Sequence, residues 1–377
     1  MAAHENHQRV VVVGGGYAGV AATNRLLKDS PHLSVTVVNP REVFVERVRL
    51  HQLAAGNSTA TVPLRDVLHP DARLEIASVD TIEHADRRVA LGNDTTLDYD
   101  YLIYAAGSRS RPDVIDGADI HGWSVAEYED AHRLREHIHG LAAGSVVTVI
   151  GGGLTGIETA TEIADQRPEL DVMMISSDSI ASTLSDGARS KVLHVMDDLG
   201  ITTISDAAVT EIAEGKIVLA GGQHLHTDCA IVTSSFVASD LAQRSGLATD
   251  ADGRLSVDAT LESESSPFIV GAGDAMTVDE APLRMSCQAA VPLGTHAAET
   301  VLALIEGAHP KPLSPKFVGQ CLSLGRRKAV FQRTNSSDDV REWSIGGRAG
   351  AVLKEQIVSS TVKFALNPKR GFTYSWS

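Results

Sequence analysis

Residues 9–20, RVVVVGGGYAGV, and residues 146–158, VVTVIGGGLTGIE, share one pattern of apolar and polar positions. Each opens on a continuous β-branched run, the mark of a strand buried on both faces of a parallel sheet. Each then meets glycines spaced GxGxxG and passes into apolar positions at helical period. The two sets, Gly14, Gly16, Gly19 and Gly151, Gly153, Gly156, are offset by 137 residues. The offset persists past the glycines: Pro31 falls on Pro168, Leu33 on Leu170 and Val35 on Val172. One strand–helix–strand unit is therefore used twice.

The glycines have a geometric reason. The first permits a tight turn off the strand, the second lets backbone approach a pyrophosphate, and the third lets helix pack closely on strand. The helix that follows presents free N–H groups and partial positive charge to the phosphates. A single GxGxxG is a common turn. Two copies, each between a strand and a helix, predict two dinucleotide sites. Two dinucleotides side by side imply a redox flavoprotein, with FAD on the first unit and NADH or NADPH on the second.

Taken in order, the pattern predicts a strand at 10–13, a helix at 17–28 and a strand at 33–38 that ends at Asn39. A dinucleotide unit commonly places an acid there for ribose hydroxyls; Asn39 can bond a hydroxyl without the charge. Residues 42–56, EVFVERVRLHQLAAG, contain no cysteine, which excludes dithiol exchange in that stretch. Arg47, Arg49, His51 and Gln52 are candidates there to line a flavin or substrate pocket. Residues 74–91 alternate like strands around an Asp86-Arg87 turn, and residues 100–107 form a third apolar run. Pro112 and Gly117 mark the crossover into the second unit, which a helix over 123–139 precedes.

In the second unit Glu158 is expected in the first helical turn. Its twin is Ala21, so the scaffold has no need of a carboxylate there. A helix-dipole effect of a few tenths of a kcal/mol is the bland explanation; contact with the nicotinamide ribose, or proton shuttling, is the preferred one. The next strand, 171–175, ends at Ser176, the twin of Asn39. Neither the acid that would select NADH nor the arginine that would select NADPH is present. Strands near 216–220 and 229–232 are expected to close this domain. The run SPFIVGAGDA at 266–275 then returns to the first domain and ends at Asp274, a carboxylate placed to accept ribityl hydroxyls. Ser286 is the expected N-cap of a helix over 287–307. Pro292 within it predicts a kink, since it cannot bond the carbonyl of Gln288. The remainder begins with strand-like FVGQCLSLGRRKAVFQ. A helix follows with Leu353, Ile357, Val358, Val362, Ala365 and Leu366 on one face, and Asn367-Pro368 stops it. Core packing of that face is preferred over a membrane interface.

The expected fold is α/β, with two Rossmann-like dinucleotide-binding domains. FAD is assigned to 1–112 and 237–310, the NAD(P)H domain (113–236) is inserted between them, and a small α+β domain (311–377) serves membrane or dimer contact. Composition adds little: 43% hydrophobic and 21% charged residues belong to an ordinary globular chain. No run approaches the ~20 apolar residues of a membrane span, and the first residues lack a signal peptide's apolar core. A cytoplasmic protein, with or without peripheral contact at the inner face of a membrane, is expected. Cys229, Cys287 and Cys321 make neither a disulfide framework nor a zinc site, and no metal is expected. Charge changes the picture more. Residues from Lys311 onward carry 12 Lys/Arg against 4 Asp/Glu, whereas the first 310 carry 21 against 44. The basic end is expected to meet something anionic.

The order GGGxAG, AAGS, GGGxTGIE, VGAGD resembles the two-dinucleotide-domain flavoprotein reductases. Within them it is similar to the type II NADH dehydrogenases and the apoptosis-inducing-factor-like, ferroptosis-suppressor-type quinone reductases. LSLGRRKAVFQ and the closing YSW resemble the C-terminal region of the last branch. The resemblance implies that Gly14, Gly15, Gly16, Tyr17, Ala18 and Gly19 hold the FAD pyrophosphate. It places Gln52 against the flavin, Val79 near the adenine, Ala106-Gly107 at the chain crossing and Asp274 on the ribityl chain. Gly151, Gly153, Gly156, Glu158 and Ser176 would serve NAD(P)H. The dehydrogenases set two glutamines four apart beside the quinone; here those positions hold Gln288 and Pro292, with Arg49 and His51 as further pocket candidates. The implied activity passes hydride from NAD(P)H to FAD and two electrons on to a quinone-like acceptor. A ferredoxin-type reductase, a tailoring enzyme on an aromatic quinone metabolite and a redox-sensing interaction protein stay open as alternatives. A monomer or homodimer without nucleic-acid partners is expected.

Overall fold

The computed structural model describes residues 8–111, 114–233, 236–278, 283–368 and 376. Pro112 and most of the closing aromatic segment lie outside the described residues.

Hydrophobic runs become the centres of two parallel sheets. In the first, β1 (Arg9–Val13) leads through α1 (Tyr17–Asp29) to β2 (Ser34–Asn39). Beyond α2 (Leu50–Ala54) come β3 (Arg73–Ile76) and β4 (Tyr101–Tyr104). In the second, β5 (Gly122–Ser124) and β6 (Val146–Ile150) lead through α3 (Leu154–Gln166) to β7 (Asp171–Ile175), β8 (Thr202–Ile204) and β9 (Cys229–Val232). The chain then re-enters the first sheet at β10 (Ser266–Gly271) and continues into α4 (Cys287–Ile305). The parallel strand order is β10-β4-β1-β2-β3 in one sheet and β5-β9-β6-β7-β8 in the other. The glycine-bearing strands β1 and β6 thus hold equivalent central places.

The duplication reaches individual hydrogen bonds. Gly14 donates to Val38 O at 2.9 Å and Gly151 to Ile175 O at 2.8 Å. Ser34 donates to Gln8 O and Asp171 to Ser145 O, both at 3.0 Å. Register follows suit, with Val13 opposite Val38 and Ile150 opposite Ile175.

A three-stranded antiparallel sheet follows, β11 (Gly319–Leu324), β12 (Lys328–Thr334) and β13 (Val340–Ile345), covered by α5 (Gly347–Ser360). A Cβ on Gly350 would stand 2.4 Å from Ala329 O, so α5 lies directly on β12. Leu322, Leu324 and Val330 join the apolar cluster of the second sheet. Trp376 is fully buried in the cluster of the first sheet, against Phe317.

Several expected elements differ. The helix expected over 123–139 begins only at Tyr128, and Trp123 lies in β5 opposite Ile231; residues 122–124 gain more from sheet pairing than from extending the helix. Residues 73–76 form the outer strand of the first sheet rather than part of the antiparallel ribbon that follows. The segment near 216–220 forms a separate ribbon with Val209–Ala213 and His224–His226. β13 has four exposed residues in succession, so no apolar alternation announced it. Among the described residues no helix is long and apolar enough to cross a membrane.

α4 lies against α1 because Gly294 admits it: a Cβ there would come 2.1 Å from Ala18 O. Gly294→Ala should force the two helices apart and destabilise by about 1–3 kcal/mol, read as a lowered urea midpoint. Gly187→Ala, in an exposed helix with open space around its Cβ, should leave the midpoint unchanged or raise it.

Candidate functional site

Two backbone cradles follow from the two glycine sets. Gly14 and Gly151 have φ of +105° and +121°, a region closed to most side chains. Cβ atoms on Gly19 and Gly156 would collide with the carbonyls of Gly14 and Gly151, at 1.9 and 2.0 Å. At the middle glycines, Gly16 and Gly153, a Cβ would meet nothing within 4 Å. The first and third glycines are thus demanded by the fold, while the second faces open space. Neither α1 nor α3 has a side-chain cap or an acid in its first turn. Their leading N–H groups remain for an anion, as a pyrophosphate requires.

A cleft of about 370 Å³ opens at the first cradle. Gly14, Gly15, Gly16, Tyr17, Ala18, Asn39, Arg47, Ala106, Gly107 and Asp274 all line it. Asn39 is occupied by its own loop: Oδ1 accepts from Gly15 N at 2.9 Å, and Nδ2 donates to Arg41 O at 2.7 Å. Asp274 accepts from Ser108 Oγ at 3.1 Å. Arg47 donates to Ser108 O at 2.9 Å and lies 4.0 Å from Asp274. Ser286 caps α4 by accepting from Ala289 N at 3.3 Å. Gln288 Oε1 is buried without a hydrogen-bond partner, an acceptor left over for a ligand donor.

Other expected residues lie elsewhere. Gln52 and Val79 do not line the cleft. Gln52 accepts from Arg49 at 3.2 Å, and Val79 sits in the antiparallel ribbon opposite Leu91. Arg49 ties α2 to α5 through Glu355 at 2.6 Å. Pro292 is buried within α4. Ser176 is buried at the end of β7, beside Gly152.

Glu158 is not in the first turn of α3 but one turn further in, past the reach of the N-terminal dipole. It stands at the heart of a buried polar cluster. Its Oε1 accepts from Ser323 N at 2.8 Å, from Ser323 Oγ at 3.0 Å and from Lys354 Nζ. His51 Nε2 lies 3.1 Å from Ser323 Oγ. Burial alone would raise the Glu158 carboxyl, but the Lys354 ammonium and the Ser323 backbone N–H hold it below its ordinary value. Burial works against Lys354, yet Glu158 keeps it charged and its pKa raised. For His51 burial wins over the pull of Glu158 and pushes the ring down to about 4.

Lys354, Ser323 and Glu162 were not foreseen from the sequence. One signal was available, because Gly350, Lys354 and Val358 are the buried stripe of α5, and a lysine on a buried stripe requires a partner. Two half-buried thiols complete the surroundings: loss of water contact pushes Cys287 up to about 12 and raises Cys321, so neither is a thiolate at neutral pH. Among the described residues no group of His, Cys, Asp and Glu could hold a metal ion.

Paired sheets and paired cradles define a two-dinucleotide flavoprotein oxidoreductase. Residues 8–294 match the family model of the pyridine nucleotide-disulphide oxidoreductases, and the chain belongs to that family. It is 30% identical over 348 residues to an NADH dehydrogenase-like protein of Mycobacterium tuberculosis (strain CDC 1551 / Oshkosh), covering 86% of this chain and 87% of the relative. Against a type II NADH:quinone oxidoreductase of Staphylococcus epidermidis (strain ATCC 12228) identity is 25% over 393 residues, 94% of each chain. The fold also matches the structure of NDH2 from Plasmodium falciparum in complex with NADH, with a TM-score of 0.80 at 16% identity over 96% of this chain and 97% of that one. Its cofactors are FAD and a nicotinamide nucleotide.

The neutral His51 has a measurable consequence. Between about pH 6.5 and 4 the unfolded state binds a proton that the folded state refuses, so stability falls as pH falls through that window. The loss attributable to this ring reaches roughly 3 kcal/mol by pH 4. His51→Gln should flatten the pH dependence of the urea-derived stability by that amount, and parallel curves for variant and wild type would refute it.

Proposed function

We propose that this protein is an NAD(P)H:quinone-type oxidoreductase that takes two electrons from NADH or NADPH and delivers them to a quinone-like acceptor. The observation that carries this reading is the pair of open backbone cradles on two parallel sheets, with a buried polar cluster around Glu158 on the helix that follows the second. The two relatives named above support it, one an NADH dehydrogenase-like protein and the other an NADH:quinone oxidoreductase.

When bound, the flavin accepts two electrons from the nicotinamide and passes them to the acceptor. The chain supplies binding, orientation and charge. The first cradle and the uncapped N-terminus of α1 hold the FAD pyrophosphate, and Asp274, steadied by Ser108 and Arg47, takes ribityl hydroxyls. The N-terminus of α4 offers partial positive charge to a reduced ring. The second cradle binds the nicotinamide nucleotide. Glu158 holds or moves a proton at Oε2, the oxygen that Lys354 and Ser323 leave free. The raised thiols of Cys287 and Cys321 supply no nucleophile, and residues 42–56 supply no dithiol, so electrons leave for a diffusible acceptor. We assign residues 1–112 and 237–310 to the FAD unit, 113–236 to the nicotinamide unit, and 311–377 to a docking domain.

Purified protein should be yellow, bleach anaerobically with NADH or NADPH, and recolour with a soluble quinone. A bound flavin that ignores both nucleotides, or one recoloured by a ferredoxin but not by quinone, would sink the proposal. Gly153→Asp places a carboxylate in the open mouth of the second cradle. It should raise the KM for NAD(P)H on the order of 100-fold, equivalent to about 3 kcal/mol, with FAD content unchanged.

A further inference from the structure

We propose that Glu162 and His51 form a proton conduit from solvent to Glu158, with Glu162 as its entrance. The inference rests on the reading above. NAD(P)H, one proton and a quinone give NAD(P)+ and a quinol, so each turnover draws one proton from water. The buried cluster needs a route for it.

α3 sets Glu158 and Glu162 one turn apart on one face, and His51 of α2 stands between them. His51 Nδ1 is 3.9 Å from Glu158 Oε2, and Nε2 is 3.9 Å from Glu162 Oε2. Both separations exceed hydrogen-bond length, so transfer requires each carboxylate to turn toward the ring. The Ser323 hydroxyl, bonded to both Nε2 and Glu158 Oε1, can serve either ring tautomer.

Glu162 is an unusual residue for a merely structural role. Its side chain is fully buried, and Oε2, the oxygen turned toward His51, has no hydrogen-bond partner. Its other oxygen is held by Asn57 Nδ2 and lies 2.9 Å from Arg326 Nε. Asn57 and Arg326 are exposed, so the carboxylate lies one side chain below water.

At rest the charges keep the proton on Glu162 and leave Glu158 ionised, so the path delivers only as the acceptor draws a proton on from Glu158. Burial raises Glu162 and favours its protonated form. His51 faces Glu158 and Glu162 from α3, Lys354 from α5, Arg326 from the β11–β12 turn and Arg49 from its own segment. Burial and the three cations disfavour an imidazolium, so the ring gains a proton on one nitrogen only as it releases one from the other. A proton on Glu162 Oε2 moves to His51 Nε2 while the proton on Nδ1 moves to Glu158 Oε2. That leaves Glu162 a carboxylate, His51 neutral in its other tautomer, and Glu158 a carboxylic acid. Tautomer exchange of the ring resets the path.

The test separates the two halves of the reaction. FAD-loaded protein is reduced anaerobically with dithionite and mixed with a soluble quinone, in water and in deuterium oxide. Glu162→Gln should slow reoxidation by at least about tenfold. Millimolar formic acid should restore it, and flavin reduction by NAD(P)H should stay within about twofold. Asn57→Ala and Arg326→Gln remove the partners of Glu162 but keep its carboxylate, and should slow reoxidation by less than about threefold. Unchanged reoxidation in Glu162→Gln, or equal slowing of both halves without rescue by acid, overturns the conduit. Failure of both nucleotides to reduce the wild-type flavin would sink the functional reading alone, because dithionite bypasses them. Independently of turnover, nitrogen-15 spectra of histidine-labelled protein, with His51 assigned from the signal lost in His51→Gln, should show a neutral ring averaging both tautomers at pH 7. A ring fixed in one tautomer, or charged, overturns the proposal.

Discussion

Lys354 and Glu158 meet inside the protein with their side chains 9% and 13% exposed. Removing two ions from water costs several kcal/mol each, and their attraction repays this only in good geometry with the remaining valences filled. Here both donors of Ser323 join Lys354 on Oε1 of the carboxylate. The consequence is a registry constraint. If α5 slid by one turn on β12, the ammonium would be buried without its anion, at a cost of about 3–5 kcal/mol. The C-terminal segment is therefore fixed against α3. It also shares apolar core with the second sheet through Leu322, Leu324 and Val330.

That docking changes the meaning of the charge asymmetry. The basic end of the chain was expected to meet something anionic. Three of its cations meet carboxylates of the first 310 residues: Lys354 on Glu158, Arg326 on Glu162 and Lys328 on Asp198. Part of the positive excess is thus complementarity within the chain.

The parallel strands and the glycine turns were legible because their causes are local. A β-branched run buried on both faces, a positive φ and a Cβ collision each leave a mark in a few consecutive residues, and the 137-residue offset confirmed the marks against each other. Asp274 was legible for the same reason, at a strand end followed by a capped helix. The polar cluster was not. It is assembled from α2, α3, β11 and α5, and the positions of Lys354 and Ser323 beside Glu158 are set by packing between domains rather than by neighbours in sequence. β13 was missed because its exposed residues carry no apolar period, and Trp123 was misplaced because a three-residue edge strand is too short to show one.

The two copies also show how one scaffold acquires two roles. Ala21 and Arg25 on α1 correspond to Glu158 and Glu162 on α3. Near the first pair the helix meets α4, where Gly294 lies over the backbone of Ala18 and Arg25 reaches Glu299 at 3.2 Å. At the second pair the helix meets the C-terminal domain, and two carboxylates meet Lys354 and Arg326. The glycine cradles are nearly superimposable in their hydrogen bonds, because a pyrophosphate asks the same of each. The faces beyond the cradles are free to diverge, because their demands come from whatever packs on them. In the first copy that partner is another helix of the same unit, and small residues suffice. In the second it is the basic C-terminal segment, and two carboxylates match its cations.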